Sequence, residues 1–273
     1  MRFYLILLFF PVVVFSQRQN FLSKSEVGIF GGASYYIGDL NTLAHFKNSQ
    51  VAFGIITKYN INPRLALRAL FIQGSVTAND AQSSSNYAGV YTNRNLSFAS
   101  NITEIGAGVE FNYFPFQLGN KVYRGSGYLF AEVAYFQMDP TTNYLGETIE
   151  LRTLGTEGQG TALNSQAYYS KNQLSLPFGI GFKYPFGSIF CFGMEYGVRK
   201  TFTDYLDDVS SDRFIDKGQL TEVASPLTVA LSNRNINDSP YGPRGNSQTK
   251  DWYFVYGITF TIRLGNPDEC FKH

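Results

Sequence analysis

The sequence predicts an all-β protein, an eight-stranded antiparallel transmembrane β-barrel, and three observations support this prediction. Apolar and polar residues alternate with a period of two over eight segments, each long enough to cross a bilayer as a tilted strand. The links between these segments are alternately short and long. Charged residues make up only 16% of the chain, below the roughly 25% that is usual in soluble domains.

The first four alternating segments cover residues 25–36, 50–59, 64–76 and 101–113. In each of them, aliphatic and aromatic residues occupy one face. The opposite face holds small and charged residues, many of them glycine. This pattern is typical of strands that have one face in lipid and the other in a narrow barrel interior, which has room for side chains and little else.

The next four segments cover residues 126–137, 174–183, 188–200 and 251–263. The fifth segment is less regular, and Pro177 in the sixth removes a ladder hydrogen bond. The last segment alternates most regularly. It predicts five lipid-facing side chains: Trp252, Phe254, Tyr256, Ile258 and Phe260.

The lengths of the links predict the orientation of the barrel. The long links are rich in Ser, Asn, Thr and Gly, and they cover 37–49, 77–100, 138–172 and 201–250. Outer-membrane barrels have short periplasmic turns and longer extracellular loops, and an even strand number places both termini in the periplasm. We therefore predict the outer membrane of a Gram-negative bacterium. The alternative is a soluble lipocalin-like barrel, which has no need for four long loops on one rim.

The N-terminal residues 1–16 predict a secretory signal peptide. Arg2 precedes an apolar run from Phe3 to Phe15, and Ser16 is followed by polar residues. Residues 17–273 are then expected to form a single outer-membrane barrel domain. No later run approaches the roughly 20 apolar residues of a membrane helix.

The sequence offers few groups for catalysis. It contains two histidines, His45 and His273, and neither a Walker loop nor a Ser/His/Asp arrangement. We therefore expect no enzymatic activity, no cofactor and no small-molecule substrate. The formal net charge of +1 also argues against nucleic acid bound by bulk charge. A bridge between the two cysteines, Cys191 and Cys270, would require the C-terminal tail to fold into the lumen.

Charged residues on the small-residue faces are expected to point into the barrel. They are Glu104, Glu110, Glu132, Glu195, Lys58, Arg68, Arg199 and Arg263. Unpaired charges in a narrow lumen would be costly, so we predict that these side chains pair with one another. A proton or ion path is the alternative interpretation.

An acidic stretch follows the seventh segment, with Asp204, Asp207 and Asp208 close together. The first and seventh strands of a closed barrel both flank the eighth, so Asp39 is expected to lie near this stretch. We predict that these carboxylates pair with Arg199 or Lys200 and with backbone amides, and thereby organise the loop bases. A Ca²⁺ site is the alternative, although the spacing matches no EF-hand loop.

Three stretches, 35–40, 195–210 and 251–265, carry a resemblance to a known family. Together they resemble the PorG-like outer-membrane β-barrel proteins of Bacteroidetes, a component of the type IX secretion system. The motif residues that match are Gly38, Asp39, Glu195, Arg199, Asp204, Tyr205, Asp207 and Asp208.

The resemblance implies a non-enzymatic barrel that takes part in protein transport. Its expected partners are outer-membrane lipid and a periplasmic ring, which is built from a lipoprotein and its partner subunit. The alternative function is that of a general barrel similar to the membrane domain of OmpA, with the same up-and-down topology, whose outer loops bind a ligand or a surface. An outer-membrane lipid enzyme or a small carrier is disfavoured by the shortage of histidine.

Overall fold

The computed structural model describes residues 24–82, 93–120, 122, 125–235 and 243–265. The predicted signal peptide, Cys270 and His273 lie outside the described residues. Within these ranges, no helix is long and apolar enough to cross a membrane.

The described part of the chain contains nine strands. They are β1 Ser25–Ile37, β2 Gln50–Asn62, β3 Leu65–Asn79, β4 Ser97–Asn112, β5 Ser126–Tyr144, β6 Glu147–Glu150, β7 Asn172–Phe186, β8 Phe190–Thr201 and β9 Trp252–Arg263. Two short helices, α1 (Lys217–Val223) and α2 (Pro226–Ser232), lie between β8 and β9. The side chains of Asp216 and Ser225 cap these helices by accepting bonds from backbone amides in the first turn.

Eight of the strands close into a barrel. The sheet order is β4-β3-β2-β1-β9-β8-β7-β5-β6, and a further pairing of β4 with β5 joins the two ends. The short strand β6 pairs with β5 and stands outside the closed ring. All neighbouring strands are antiparallel. The prediction of an eight-stranded antiparallel up-and-down barrel is therefore confirmed.

The two faces of the strands differ as the alternation predicts. Outward side chains are apolar and exposed: Ile29, Val51, Phe53, Ile105, Leu129, Val133, Leu174, Ile180, Met194 and Ile258. Inward side chains such as Ala52, Glu104 and Thr259 are buried. Soluble monomers rarely expose apolar patches of more than a few hundred Å². The outer wall is thus an unusual surface for contact with water.

At the end of the barrel with the long links, three strands extend three or more residues beyond the predicted segments. β3 continues to Asn79, β4 begins at Ser97, and β5 continues to Tyr144. Asp139 and Pro140 interrupt the apolar alternation of β5, yet they still pair with β4. Strand pairing by backbone atoms does not require the alternation, so these ends extend the sheet on one side of the rim.

The end of the barrel that carries the long links is covered by its own loops. We call the described parts of 38–42, 80–96, 145–171 and 202–251 the cap. Apolar side chains of the cap join one core with those of the upper lumen: Leu40, Leu96, Leu151, Leu206, Val209, Phe214 and Leu231 with Phe98, Met138 and Tyr253. A smaller apolar cluster of Phe116, Leu118 and Cys191 lies at the short-turn end.

Candidate functional site

The centre of the lumen is occupied by Arg68. Its Nε lies 2.5 Å from Glu132, its Nη2 lies 2.9 Å from Glu195, and its Nη1 lies 3.4 Å from Glu110. The Arg68 side chain is fully buried, so the ion pairs are shielded from solvent. Its guanidinium also stacks over Phe130, with Cζ 4.2 Å from the ring centroid. One cation therefore holds three carboxylates from three different strands.

Two lysines join the same network. Lys58 lies 2.7 Å from Glu110, and Lys183 binds the other oxygen of that carboxylate. Tyr128 donates a hydrogen bond of 2.6 Å to Glu195. Glu110 is thus held by more than one cation, which compensates for the cost of burying its charge.

Closer to the cap, Arg199 lies 3.4 Å from Glu104, and Tyr253 donates a hydrogen bond to the same carboxylate. This ion-pair network contains as many cations (Lys58, Arg68, Lys183, Arg199) as carboxylates (Glu104, Glu110, Glu132, Glu195). This is the predicted pairing, except at one position. Arg263 donates instead to the backbone carbonyls of Leu118 and Ser188 at the short-turn end.

Glycines on β7 and β8 make room for these long side chains. A Cβ at Gly181 would lie 2.2 Å from Tyr128, and a Cβ at Gly197 would lie 2.3 Å from Nη1 of Arg199. The small-residue face of these strands therefore leaves space for aromatic and charged side chains from neighbouring positions. It does not form a phosphate-binding loop.

A second set of buried polar groups lies in the cap. The hydroxyl of Tyr36, at the end of β1, lies within hydrogen-bond distance of two carboxyl groups, 2.6 Å from Asp207 and 2.9 Å from Asp251. These carboxylates also accept from the backbone amides of Val209 and Leu206, each at 2.9 Å. The phenol of Tyr36 therefore ties the barrel to the segment that follows β8.

Gly38 belongs to the same arrangement. A Cβ there would lie 2.1 Å from the Tyr36 hydroxyl and 2.2 Å from Asp251 Oδ1, so only glycine fits. Asp208 accepts from the hydroxyls of Thr156 and Tyr169, at 2.5 Å and 2.6 Å. The contacts of Asp208 thus join the segment after β8 to the link between β6 and β7.

Two buried arginines hold the loops of the cap together. Arg94 forms two bonds to Asp80, at 2.7 Å and 2.8 Å, and a third of 2.9 Å to the carbonyl of Asp39. Arg244 lies 3.1 Å from Glu157 and donates to the Ser232 carbonyl at 2.6 Å. Neither arginine belongs to an alternating segment, so no signal in the sequence marked them or their partners Asp80 and Glu157.

The structure brings Asp39 close to the 204–208 segment, because Asp204 and Asp207 both interact electrostatically with it. The predicted pairing of these carboxylates with Arg199 or Lys200 is wrong. Arg199 points into the lumen toward Glu104, and Lys200 lies on the outer side, with its Nζ 5.9 Å from the Trp252 ring centroid. Alternation along β8 sends both side chains away from the cap.

The other motif residues have structural partners within the cap. Asp204 accepts from Ser210 at 2.8 Å and lies 3.7 Å from Lys250. Tyr205 stacks on Tyr169, with ring centroids 4.6 Å apart. Among the residues in the described ranges, no group of three or more His, Cys, Asp or Glu side chains is arranged to hold a metal ion. Asp204, Asp207 and Asp208 accept from different protein donors.

Not all of the predicted lipid-facing side chains of β9 are exposed on the outer wall. Ile258 and Phe260 are 50% and 43% exposed, and Trp252 and Tyr256 are half-buried. Phe254, by contrast, is only 8% exposed, which corrects the expectation for this residue. Its ring stacks on Tyr35 with centroids 4.8 Å apart.

The link after β1 covers Phe254 because it folds back over the outer wall. The ring of His45 lies edge-on to Phe254 at 5.4 Å, and the Tyr35 hydroxyl is 2.9 Å from His45 Nδ1. Leu43 and Phe46 in this link are 83% and 54% exposed. Apolar side chains of the loop thus replace Phe254 on the outer surface.

The carboxyl groups of the cap titrate abnormally. Burial raises the pKa of Asp39 and of Asp208 to about 6, against the partial compensation of Arg94 and Arg244. Burial also raises the pKa of Asp207, and the neighbouring carboxyl group of Asp251 raises this pKa further. Arg244 and the backbone amides of Ser210 and Ser211 lower the pKa of Glu157, but the carboxyl groups with a raised pKa outnumber it. The folded cap therefore binds more protons than the unfolded loops between about pH 4 and pH 6.

This difference predicts how the stability of the cap depends on pH. A carboxyl group with a raised pKa contributes stability at low pH, and the contribution is lost as the pH rises through about 6. We expect amide hydrogen exchange in the cap, corrected for its intrinsic pH dependence, to be slower at pH 5 than at pH 8. Strand amides in the barrel serve as the control. Stronger protection of the cap at pH 8 would contradict the prediction.

Replacement of Asp207 and Asp208 by alanine is expected to loosen the cap. The change leaves the Tyr169 and Thr156 hydroxyls without their carboxylate acceptors, at a cost of about 1–3 kcal/mol for each unsatisfied group, and it leaves the Tyr36 hydroxyl with Asp251 alone. Limited proteolysis should cut the link between β8 and β9 faster, while the barrel stays folded. Wild-type resistance of the double variant, with and without a chelator, would rule out a structural role for these carboxylates.

Residues 2–217 match a family described as "Domain of unknown function (DUF6089)". No curated protein matches the chain. Among solved structures, the chain is similar to Neisserial surface protein A, with 11% identity over 88% of this chain and 97% of that one, at a TM-score of 0.43. It is also similar to Ail, the attachment invasion locus protein of Yersinia pestis, with 12% identity over 87% and 97% and a TM-score of 0.38. The fold of this chain rests on its own strand pairing, and no function carries over from these proteins.

Proposed function

We propose that this chain, which belongs to the DUF6089 family of domains of unknown function, is a closed, non-enzymatic barrel of a Gram-negative outer membrane. The observation that carries the proposal is the inversion of polarity across the strands. Charged side chains such as Arg68 and Glu110 are fully buried inside, whereas Val51 and Ile29 are 77% and 64% exposed outside. A barrel in water gains nothing from this arrangement, but a barrel in lipid requires it.

The aromatic residues near the ends of the strands support the same placement. Tyr113 and Phe114 at the short-turn end are 69% and 58% exposed, and Phe46 is exposed near the other end. Aromatic girdles of this kind lie at the two interfaces of membrane barrels. We propose that the short turns face the periplasm and that the cap faces outward.

The filled lumen favours a structural role for the barrel. Ion pairs occupy its centre, the cap covers one end, and Lys183 packs over Phe116 at the other with Nζ 4.5 Å from the ring centroid. We expect the purified protein in planar bilayers to show no stable open channel, since eight strands enclose space for side chains only. A reproducible conductance from the wild-type protein would contradict this.

At a finer level, we propose a role as a component of a type IX protein secretion machine. The support for this role is the resemblance of three stretches to PorG-like proteins. Within those stretches, Glu195 and Arg199 lie in the lumen, and Asp207 and Asp251 lie in the cap. These motif residues stabilise the barrel and its cap, so the contact with a periplasmic ring would use other residues at the short-turn end.

Deletion of the gene tests the secretion role directly. We expect loss of export of proteins that carry the type IX C-terminal signal, and recovery when the wild-type gene is restored. The ring lipoprotein and its partner subunit should copurify with the barrel. Normal export in the deletion strain would leave the alternative, a structural or adhesive barrel whose cap binds a ligand or a surface.

A further inference from the structure

A cavity of about 610 Å³ opens in the cap, between the link that follows β1 and the end of the link that precedes β9. Its size is within the range of small-molecule sites. Side chains of several chemical types line it: Asp39, Thr42, Asn246, Thr249, Lys250 and Trp252. None of the contacts that stabilise the lumen uses this space.

Asp39 supplies an acceptor without a donor at this cavity. The residue is 8% exposed, and among the described residues its Oδ2 has no hydrogen-bond partner. A Cβ at Gly245 would lie 2.7 Å from this oxygen, so a glycine at this position allows the backbone to lie close to the Asp39 carboxyl group. A buried acceptor without a partner is costly, and a bound molecule that donates a hydrogen bond would remove that cost.

Trp252 supplies an apolar surface in the same cavity. It is the one tryptophan of the sequence, and it is half-buried. The indole therefore places a flat apolar surface beside the polar side chains of Asp39, Thr42 and Asn246 in one cleft.

We propose that this cleft binds a saccharide. A pyranose ring has an apolar C–H face, which stacks on an aromatic ring, and hydroxyl groups that both donate and accept hydrogen bonds. One hydroxyl would donate to Asp39 Oδ2, while the ring stacks on Trp252 and other hydroxyls reach Thr42 and Asn246. Two cations, Arg94 and Lys250, and one carboxylate, Asp39, line the cleft, so neither a simple anion nor a simple cation matches the whole lining, and a neutral polyol fits it best.

The saccharide could come from two sources that share this chemistry. One is the sugar headgroup of a lipopolysaccharide in the outer leaflet, and the other is a soluble glycan outside the cell. Binding to either goes beyond the proposed function, because it requires neither a secretion partner nor a bilayer.

Trp252 provides the readout, because no other indole contributes to the fluorescence. The full chain, purified in detergent, is titrated with the lipid-free core oligosaccharide, with intact rough lipopolysaccharide and with sugar-free phosphatidylethanolamine. We expect a saturable change in Trp252 emission with at least one of the two saccharides and none with phosphatidylethanolamine. A response to the oligosaccharide shows that the sugar suffices, and a response to lipopolysaccharide alone identifies the lipid-bound source.

Two variants test the contacts. Asp39→Asn keeps the shape but turns one acceptor into a donor, and it is expected to weaken saccharide binding at least tenfold. Thr42→Val removes one hydroxyl and should weaken binding several-fold. Thr148→Val on β6, which is exposed and away from the cleft, should bind as wild type. Heat-modifiable migration on gels confirms that each barrel is folded.

Three results would overturn the proposal. They are the absence of any saturable response to both saccharides, an equal response to phosphatidylethanolamine, and wild-type binding by both Asp39→Asn and Thr42→Val. Failure of the secretion role would leave this experiment unchanged, since the protein is assayed alone.

Discussion

Replacement of Arg68 by methionine is expected to destabilise the barrel by about 3–5 kcal/mol, the usual cost of breaking a buried ion pair by removing one partner. Glu110 and Glu195 keep Lys58 as a neighbour, at 2.7 Å and 4.0 Å. Glu132 loses its close ion pair with Arg68 Nε, and in the described part of the chain neither of its oxygens has a hydrogen-bond partner. The midpoint of urea unfolding in detergent or lipid vesicles measures the effect.

The double variant Arg68→Met, Glu132→Gln separates loss of charge balance from loss of packing. It removes the orphaned carboxylate, so it should recover part of the stability that the single variant loses. Arg64→Met is the matched control, because Arg64 lies next to the same strand and is exposed. Its cost should stay within about 0.5 kcal/mol. Similar midpoints for Arg64→Met and Arg68→Met would show that the lumen network does not stabilise the fold.

The strands of this protein could be predicted because each has one apolar and one small or charged face. That alternation is a local property, and it persists in β9 from Trp252 to Arg263. The strand ends were less predictable. In β5, Asp139 and Pro140 break the alternation, although backbone pairing with β4 continues beyond them.

The lumen network was predictable in kind but not in detail. Alternation places Arg68 and Glu110 inside, and a narrow lumen then forces opposite charges together. Lys183 and Arg263 both lie near the short-turn end, and they differ in what they contact there. Arg263 reaches the loop carbonyls there, whereas Lys183 reaches Glu110. The alternation of the sequence does not distinguish these two sets of contacts.

The contacts within the cap could not be predicted from the sequence, because they join residues that are far apart in the chain and follow no repeating pattern. Arg244 and Glu157 are 87 positions apart, and Tyr36 and Asp207 are 171 positions apart. The proximity of Asp39 to the 204–208 segment was the exception, since it follows from the neighbour relations of a closed barrel. The covering of Phe254 by the link after β1 was not predictable either, because it depends on how that loop folds back over the outer wall.

Replacement of Ile258 by arginine is expected to cost about 2–4 kcal/mol, the cost of a cation on the lipid face near the bilayer midplane. Ile258 is 50% exposed on the outer wall. It lies halfway along β9, and it pairs with Gly31 and Met194, which lie near the middle of β1 and β8. The equilibrium of folding into lipid vesicles, followed by the emission of Trp252, measures this cost.

Leu145→Arg is the control for this change. Leu145 is 88% exposed, but it lies on the turn between β5 and β6, beyond the closed part of the barrel, so its replacement should cost less than about 0.5 kcal/mol. Thr259→Arg is not a suitable control, because Thr259 is 2% exposed in the packed lumen. If Ile258→Arg and Leu145→Arg fold equally well in vesicles, the outer wall is not in contact with lipid. The apolar exterior would then need another cover, such as a protein partner, and the membrane placement would be lost.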